Sequence, residues 1–331
     1  MSKQPHRTSA RKQYKKATRT RRIITTVIAL VVLLAVLAGG LLTVRNHRRA
    51  ARLEAQEKAL AEKTVTVTFP EGSTVLDIAE KLEENGICTA DEFEQLCTEV
   101  PEGYDRLFEG VTTDNRVFVL EGYLFPDTYD FLKEEGAEKA LSRFLKNTNQ
   151  KITDDMLATA TEKGYTLDQV LTLASVIQSE ASDPENMPMV SSVFTNRLKP
   201  GSGFAYLGSD VTRHYIERKM KAYIEEQGMD YDTLFGAYCT NDAYQFKTEG
   251  LPVGPICNVG LAAIEAALDP AESNYYYFFT DNDWNYYYNE TLAGHQSQWT
   301  KLVSEGKAGG TTDTADATTA AAASATTVAA Q

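Results

Sequence analysis

One glutamate in the middle of the chain has the sequence surroundings of a general acid. Leu173, Val176 and Ile177 lie seven, four and three residues before Glu180, so this carboxylate falls on the apolar stripe of its own predicted helix. The Asp183-Pro184 pair ends that helix, because proline lacks an N–H and disfavours helical geometry in the residue before it. A carboxylate at such a break can lie on a cleft floor, where desolvation raises its pKa. The alternative is a glutamate that ends a helix and points to water.

The elements around this glutamate predict a mixed α+β region over 120–305. Helices are expected at 137–149, 153–163, 213–227, 260–268 and 291–305, and a β-hairpin at 275–280 with 286–289. A further amphipathic run follows Asp183-Pro184, with Val190, Val193, Phe194 and Leu198 on one face. Residues 207–212 (LGSDVT) and 250–258 (GLPVGPICN) are polar or rich in Gly and Pro, which predicts shaped loops. Residues 121–131 (EGYLFPDTYDF) are either a packed connection or an aromatic wall for a sugar.

A smaller β-α-α-β module is predicted at 64–119. Residues 64–69 (TVTVTF) alternate as a strand does, and Ser73 is expected to cap the helix that follows the next turn. A second helix comes after Gly86, and residues 116–120 (RVFVL) are expected to return as the second strand.

The charges divide the chain into two parts. Residues 1–52 carry thirteen Lys or Arg and no acidic residue, while the remainder carries 20 basic and 46 acidic residues. The acidic remainder argues against nucleic acid as a partner, because neutralising phosphates needs a basic surface.

An uncharged apolar run at 23–44 is long enough to span a bilayer, which needs roughly 20 residues. Nine Lys or Arg precede it, so residues 1–22 are predicted to stay in the cytoplasm as a basic tail, with 45–63 as a helical stalk outside. A cleaved signal peptide is the alternative, although this run is longer than the usual apolar core of such peptides. We favour an uncleaved single-pass anchor in the cell membrane.

The four cysteines form no metal motif. Cys88 with Cys97, and Cys239 with Cys257, are possible disulfides, and reduced buried thiols are the alternative. No CxxC pair or Cys/His cluster is present, so we expect no metal and no cofactor. Residues 306–331 are rich in Ala, Thr and Gly and are predicted to be disordered.

Several motifs together resemble a known family. LEGYLFPDTY, LASVIQSE, VFTNRL, GLPVGPICN and AAIEAALDPAESNYYYFF follow one another in the order and approximate spacing of the membrane-anchored endolytic murein transglycosylases, the YceG-like family. The resemblance covers roughly residues 65–305. It implies a LysM-like identity for the 64–119 module and a YceG-like catalytic domain for 120–305.

The resemblance implies a lytic transglycosylase. Such an enzyme cuts the β-1,4 bond between N-acetylmuramic acid and N-acetylglucosamine within peptidoglycan strands, and the muramyl 6-hydroxyl attacks its own anomeric carbon to leave a 1,6-anhydro end. One carboxyl group suffices, first as acid and then as base, whereas glycosidases generally use two. Implied partners are the glycan strands and cell-wall synthases.

The family's catalytic acid aligns with Glu180. The family's cleft loop aligns with 207–212, so Ser209, Asp210 and Thr212 carry over as substrate-binding residues. Glu121, Tyr123, Tyr244 and Asn258 in or beside the matched motifs complete the predicted substrate contacts.

The chain departs from the family pattern at several positions. Gln178 replaces the first acid of the catalytic run, Gly208 replaces a glutamine, and 243–246 (AYQF) replaces a Tyr-Asn-Thr-Tyr run. The family's Gly-Gly-His before the last strand reads Trp284-Asn285-Tyr286.

Two other functions remain open. A non-catalytic scaffold of cell-wall synthesis is one, and a hydrolase that adds water is the other, with Glu121 or Asp210 as its second carboxylate. We expect His295 to be structural, and His214 is a weaker candidate for a substrate contact.

Overall fold

The computed structural model describes residues 7–61, 63–181 and 183–309, and it divides into two compact units between Thr64 and Val65. In the first unit a single helix, α1, runs from Arg7 to Ala61. It contains a stretch that is long and apolar enough to cross a membrane, and the apolar side chains along it are exposed. The predicted apolar helix at 23–44 is therefore confirmed.

The segments on either side belong to the same helix. The predicted stalk continues it, and residues 7–22, predicted as a tail, are helical too. Residues 1–6 of that tail, and 310–331 of the predicted disordered segment, lie outside the described residues.

The second unit is a mixed α+β structure. Its elements in chain order are β1 (Thr64–Thr68), α2 (Val75–Glu84), α3 (Ala90–Leu96), α4 (Asp105–Phe108), β2 (Thr128–Leu132), α5 (Ala137–Lys151), α6 (Asp154–Glu162), α7 (Leu167–Glu180), α8 (Met187–Leu198), α9 (Asp210–His214), a π-helical turn (Tyr215–Met220), α10 (Lys221–Glu226), α11 (Tyr231–Tyr238), α12 (Leu261–Leu268), β3 (Tyr277–Thr280), β4 (Tyr286–Asn289) and α13 (Leu292–Ser304). This order confirms the α+β prediction and the helices expected between 137 and 305.

The cap of α2 differs from the prediction by one residue. Thr74, not Ser73, is the N-cap, and its hydroxyl accepts a hydrogen bond from the backbone N–H of Asp77, whose carboxylate accepts one from the N–H of Thr74. This reciprocal pair satisfies two N–H groups that the first turn of a helix leaves free. The Ser73 hydroxyl donates instead to the carbonyl oxygen of Pro70, within the preceding turn.

The predicted second strand at 116–120 is wrong. β1 pairs with β2, which comes from the aromatic segment further along the chain. Val117, Phe118, Val119 and Leu120 are all buried in an irregular conformation. A strand on the surface of a small sheet alternates buried and exposed side chains, so four consecutive buried residues indicate an enclosed segment. The division at 119/120 stays a prediction, and one hydrophobic core holds residues from both sides of it.

Residues 121–131 form a packed connection. Tyr129 and Phe131 on β2 meet Phe69 and Phe144 in a cluster of edge-on and tilted rings with centroids 4.5 to 6.1 Å apart. All four rings are buried. The alternative of an aromatic wall open to sugar is therefore wrong for this segment.

The predicted C-terminal hairpin is confirmed, with its first strand beginning at Tyr277 rather than at 275. β3 and β4 are antiparallel, with Phe278 opposite Tyr288 and Thr280 opposite Tyr286. The loop at 250–258 is irregular, as its Gly and Pro content predicts.

All four cysteines are free thiols. Cys97, Cys239 and Cys257 are buried, and burial raises the pKa of the Cys257 thiol to about 12. The two proposed disulfides are absent, and the reduced alternative is the observed one.

Candidate active site around Glu180

Helix α7 carries Glu180 from the core to the surface. Thr166 caps it, since its hydroxyl accepts from the N–H of Gln169 and the Gln169 side chain accepts from the N–H of Thr166. Residues 167–177 are buried on every face of the helix except at Gln169. The helix ends at Glu180 because Ala181 adopts an extended conformation. The predicted break after Glu180 is confirmed.

The carboxylate of Glu180 is partly buried and hydrogen-bonded. The Ser209 hydroxyl donates to its Oε1 at 2.6 Å. Desolvation raises the pKa of Glu180, and the charge of Asp210 adds to the rise, while the Ser209 hydrogen bond and the charge of Arg197 lower it. The net pKa lies above the ordinary value for glutamate, which favours the protonated acid nearer to neutral pH. This differs from a helix end that simply points to water.

Two threonine hydroxyls hold the Ser209 loop in place. Thr212 donates to the carbonyl oxygen of Ser209 (2.9 Å), and Thr240 lies 3.0 Å from the Thr212 hydroxyl. The backbone N–H of Gly208 donates to the carbonyl of Thr240 (2.9 Å). Thr212 and Thr240 are fully buried and shape the loop that presents Ser209. The substrate contact expected of Thr212 stays a prediction.

Arg197 on α8 ties the same loop to the hairpin. Its Nη1 donates to the carbonyl of Leu207 (2.6 Å) and reaches that of Gly208 (3.2 Å), while its Nε donates to the carbonyl of Tyr276 (2.7 Å). Burial lowers the pKa of the guanidinium to about 10. Arg197 therefore stays charged at neutral pH beside Glu180.

Asp210 is the second acid near Glu180. Its Oδ1 accepts from Nδ2 of Asn241 (2.7 Å) and lies 3.5 Å from Nε of Arg213. The Arg213 guanidinium packs over the ring of Tyr244, with 5.3 Å between the guanidinium carbon and the ring centroid. Tyr244, predicted as a substrate contact, is thus placed beside the arginine that holds Asp210.

Glu121 and Asn258 lie inside the protein, away from any substrate surface. Both side chains are fully buried. Nδ2 of Asn258 donates to Oε1 of Glu121 (2.9 Å), and the carboxylate also accepts from the N–H of Val75 (3.1 Å) and the hydroxyl of Tyr215 (3.1 Å). Substrate contact was predicted for both and stays a prediction, and in this structure their partners are other residues of the protein. They join α2, the π-helical turn and the 250–258 loop.

Tyr123 is also fully buried and does not reach a surface. Its hydroxyl donates to Oδ1 of Asp168 (2.8 Å), and Asp168 forms a two-armed ion pair with Arg116, whose Nη2 also donates to the carbonyl of Val253 (2.7 Å). Tyr123 is therefore joined to α7 through Asp168, and its substrate contact stays a prediction.

Gln178, His295 and His214 each contact other residues of the protein. The Gln178 side chain accepts from the N–H of Gly260 (3.1 Å), where α12 begins. His295 lies between the rings of Tyr277 and Phe279. His214 has its Nε2 2.7 Å from the Arg213 guanidinium. In the described part of the chain, no group of three His, Cys, Asp or Glu is arranged to hold a metal ion.

Three residues of the site were missed by the sequence analysis. Arg197 lies within a matched motif, VFTNRL, and that was the available signal. Thr240 has no motif, and only the fold brings it to Ser209. Tyr286 donates from its hydroxyl to the carbonyl oxygen of Glu180 (3.0 Å), which satisfies one of the carbonyls left free where a helix ends.

The sequence profile of the YceG-like family matches residues 20–301 of this chain. The match covers most of the 331 residues, and the chain belongs to that family. A crystal structure of a yceG-like protein from Listeria monocytogenes is similar, with a TM-score of 0.56 and 27% identity over 70% of this chain and 75% of that chain.

Two similar proteins are named endolytic murein transglycosylases. The one from Bacillus subtilis is 30% identical over 211 residues, which are 63% of this chain and 54% of that protein. The one from Streptococcus pneumoniae serotype 2 is 27% identical over 241 residues, which are 69% of this chain and 42% of that protein. The chain spans about half the length of the relatives it matches.

Proposed function

We propose that this protein is a membrane-anchored endolytic murein transglycosylase with Glu180 as its single acid and base. The observation that carries the proposal is the Glu180–Ser209 arrangement: one partly buried carboxylate with a raised pKa, hydrogen-bonded at 2.6 Å and placed at the end of a buried helix. The names of the relatives give the substrate class.

The reaction needs two proton transfers, one from Glu180 and one back to it. Protonated Glu180 donates its proton to the glycosidic oxygen between N-acetylmuramic acid and N-acetylglucosamine as the bond from that oxygen to the anomeric carbon breaks. The resulting carboxylate then accepts the proton of the muramyl 6-hydroxyl, whose oxygen bonds to the anomeric carbon. The products are a 1,6-anhydro end and a new N-acetylglucosamine end, with no water consumed. Glu180 is protonated again at the end.

The surroundings of Glu180 suit both halves of this cycle. Desolvation raises its pKa and keeps the acid form available, while Ser209 and the charge of Arg197 stabilise the carboxylate that forms next. Of the two candidate second carboxylates for a hydrolase, Glu121 is fully buried, and Asp210 is held by Asn241 and Arg213. This favours the one-carboxylate mechanism.

Location and partners follow the same proposal. We assign α1 as a single-pass anchor with its basic N-terminal end in the cytoplasm and the second unit outside. There the enzyme would act on nascent glycan strands beside cell-wall synthases. The region that begins at residue 64 is proposed as a LysM-like module, and its two-stranded sheet is completed by β2 (Thr128–Leu132).

The test is mass spectrometry of the products formed from uncrosslinked glycan strands by the full chain in detergent. Wild type is expected to leave anhydro-muramyl ends, and Glu180→Gln is expected to leave none while melting at a similar temperature. Glu185→Gln, an exposed acid five residues further on, is the matched control and stays active. Reducing ends instead would mean a hydrolase, and no cleavage by the folded wild type would mean a scaffold.

A further inference from the structure

Trp284 presents its indole to solvent at the tip of the β3–β4 hairpin. Its side chain is 71% exposed, which exceeds every other large hydrophobic residue in the described part of the second unit. Indoles are usually well covered in folded proteins, because their large apolar area is costly to leave in water. An exposed one on an ordered turn therefore points to a binding role.

The backbone at Trp284 is held in a conformation that suits glycine. Its φ is +64°, in the left-handed region where a side chain costs about 1–2 kcal/mol. Bulky residues in this region are rare and cluster at functional sites. Because the indole is exposed, its burial does not offset the free-energy cost of this backbone conformation.

The carboxylate of Asp281 fixes the turn that displays the ring. Its Oδ1 accepts from the backbone N–H groups of Asp283 and Asn285, both at 2.9 Å, and its Oδ2 accepts from the hydroxyl of Tyr287 (2.9 Å). The N–H of Trp284 itself donates to the carbonyl of Asp281 (3.1 Å). The indole is thus displayed on a turn of fixed shape, which lowers the entropy lost on binding.

The turn is close to the candidate active site. Tyr286, two residues after Trp284, donates to the carbonyl of Glu180. Two residues span about 7 Å of backbone, so a polymer bound at Glu180 has only a few units to cover before it reaches the hairpin tip. Around the indole, Asn282, Asp283 and Asn285 are exposed, and their side-chain oxygens can accept hydrogen bonds from sugar hydroxyls. The Nδ2 atoms of the two asparagines already donate to Gly306 and Asp281.

We propose that Trp284 is an outlying sugar subsite, at which the apolar face of an N-acetylhexosamine ring of the glycan strand stacks on the indole. The proposal rests on the proposed function for the class of polymer. A flat aromatic face takes the C–H face of a pyranose, and the neighbouring amides and carboxylate bind its hydroxyls. An anionic lipid surface fits less well, because Asp281 and Asp283 place negative charge at the tip.

The chain contains two tryptophans, which makes the site directly observable. Trp299 lies edge-on to Phe279 with ring centroids 5.2 Å apart, so Trp299→Phe leaves Trp284 as the sole indole. We would titrate the full chain carrying Glu180→Gln and Trp299→Phe, in a detergent without sugar headgroups, with uncrosslinked glycan strands. A blue shift of the emission that saturates with strand concentration is expected. An unchanged spectrum while the strands bind would overturn the proposal.

Trp284→Gly separates binding from folding. Glycine accepts φ +64° without strain, so the melting temperature is expected to stay the same or rise, while the Kd for glycan strands rises about three- to tenfold. Trp284→Tyr keeps an aromatic ring, so its Kd for glycan strands is expected to lie between those of wild type and Trp284→Gly. A lower melting temperature for Trp284→Gly with an unchanged Kd would make the ring structural and overturn the subsite.

Three further outcomes test this inference, and the first two separate it from the proposed function. Cleavage with a KM that Trp284→Gly leaves unchanged would overturn the subsite alone. Saturable emission shifts without any cleavage by wild type would support the subsite and overturn the transglycosylase. A shift with phosphatidylglycerol vesicles and none with glycan would assign the ring to a lipid surface and overturn the subsite.

Discussion

The Ser209 hydroxyl donates a 2.6 Å hydrogen bond to Oε1 of Glu180, from a residue 29 positions further along the chain. This bond joins the end of α7 to the start of α9. It stabilises the ionised form of Glu180, whereas desolvation stabilises the neutral form. The two effects together set how readily Glu180 gives up and takes back a proton.

Removing that hydroxyl is expected to slow the reaction and shift its pH dependence. In Ser209→Ala the Glu180 carboxylate loses a hydrogen bond that is strengthened by its charge. This loss corresponds to roughly a tenfold or greater decrease in kcat. The pKa of Glu180 rises, so the basic limb of the kcat/KM profile moves to higher pH. Product formation against pH measures both effects.

Ser179→Ala is the matched control for that change. Ser179 precedes Glu180 on the same helix, and its hydroxyl donates to the carbonyl of Ser175 (2.8 Å), not to Glu180. We expect its pH profile to match wild type. A basic limb that stays in place or moves to lower pH in Ser209→Ala would contradict the assigned role of the hydrogen bond.

A side chain at position 208 is expected to disturb the Ser209 loop. Gly208 has φ +71°, and a Cβ there would lie 3.1 Å from Nη1 of Arg197. Gly208→Ala therefore adds backbone strain of about 1–2 kcal/mol and pushes on the arginine that holds the loop. We expect a lower melting temperature together with a clear loss of kcat.

Gly201→Ala separates the effect of backbone strain from the effect of the contact with Arg197. Gly201 has a similar φ of +79° but open space around its Cβ position, so it should lose comparable stability and keep its kcat. Equal kcat in the two variants would show that the contact with Arg197 does not position Ser209.

The buried Glu121 is expected to make stability fall as pH rises. Desolvation raises its pKa from 4.5 to about 8, and the bonds from Val75, Tyr215 and Asn258 only partly oppose this. A carboxyl group with a raised pKa in the folded state gives its full contribution below the unfolded value, and that contribution is lost as pH climbs to about 8. Wild type is thus expected to lose stability across pH 4.5 to 8.

Glu121→Gln removes the titration and keeps a similar shape. Its amide oxygen can accept from Val75 and Asn258, and its amide nitrogen can donate to the Tyr215 oxygen. Chemical unfolding at several pH values should show a flatter dependence for this variant, with its advantage over wild type largest above pH 8. Parallel curves for the two proteins would contradict the burial of a titrating carboxyl group.

Much of the local structure was determined by the sequence itself. The apolar spacing before Glu180 and the break after it predicted where α7 ends, because helix periodicity and proline act over a few neighbouring residues. The apolar run at 23–44, the 250–258 loop and the aromatic hairpin were predictable for the same reason. The motif order predicted the family.

Tertiary structure decided which side chains meet. Nothing near 116–120 in the sequence shows that both faces would be covered, so a strand was predicted where the fold has an enclosed irregular segment. Glu121, Tyr123 and Asn258 lie in matched motifs, yet whether such a residue faces a substrate or the core depends on partners more than 40 residues away. Arg197 and Thr240 joined the site in the same way, because their bonds to the Ser209 loop exist only once α8, α9 and α11 have packed.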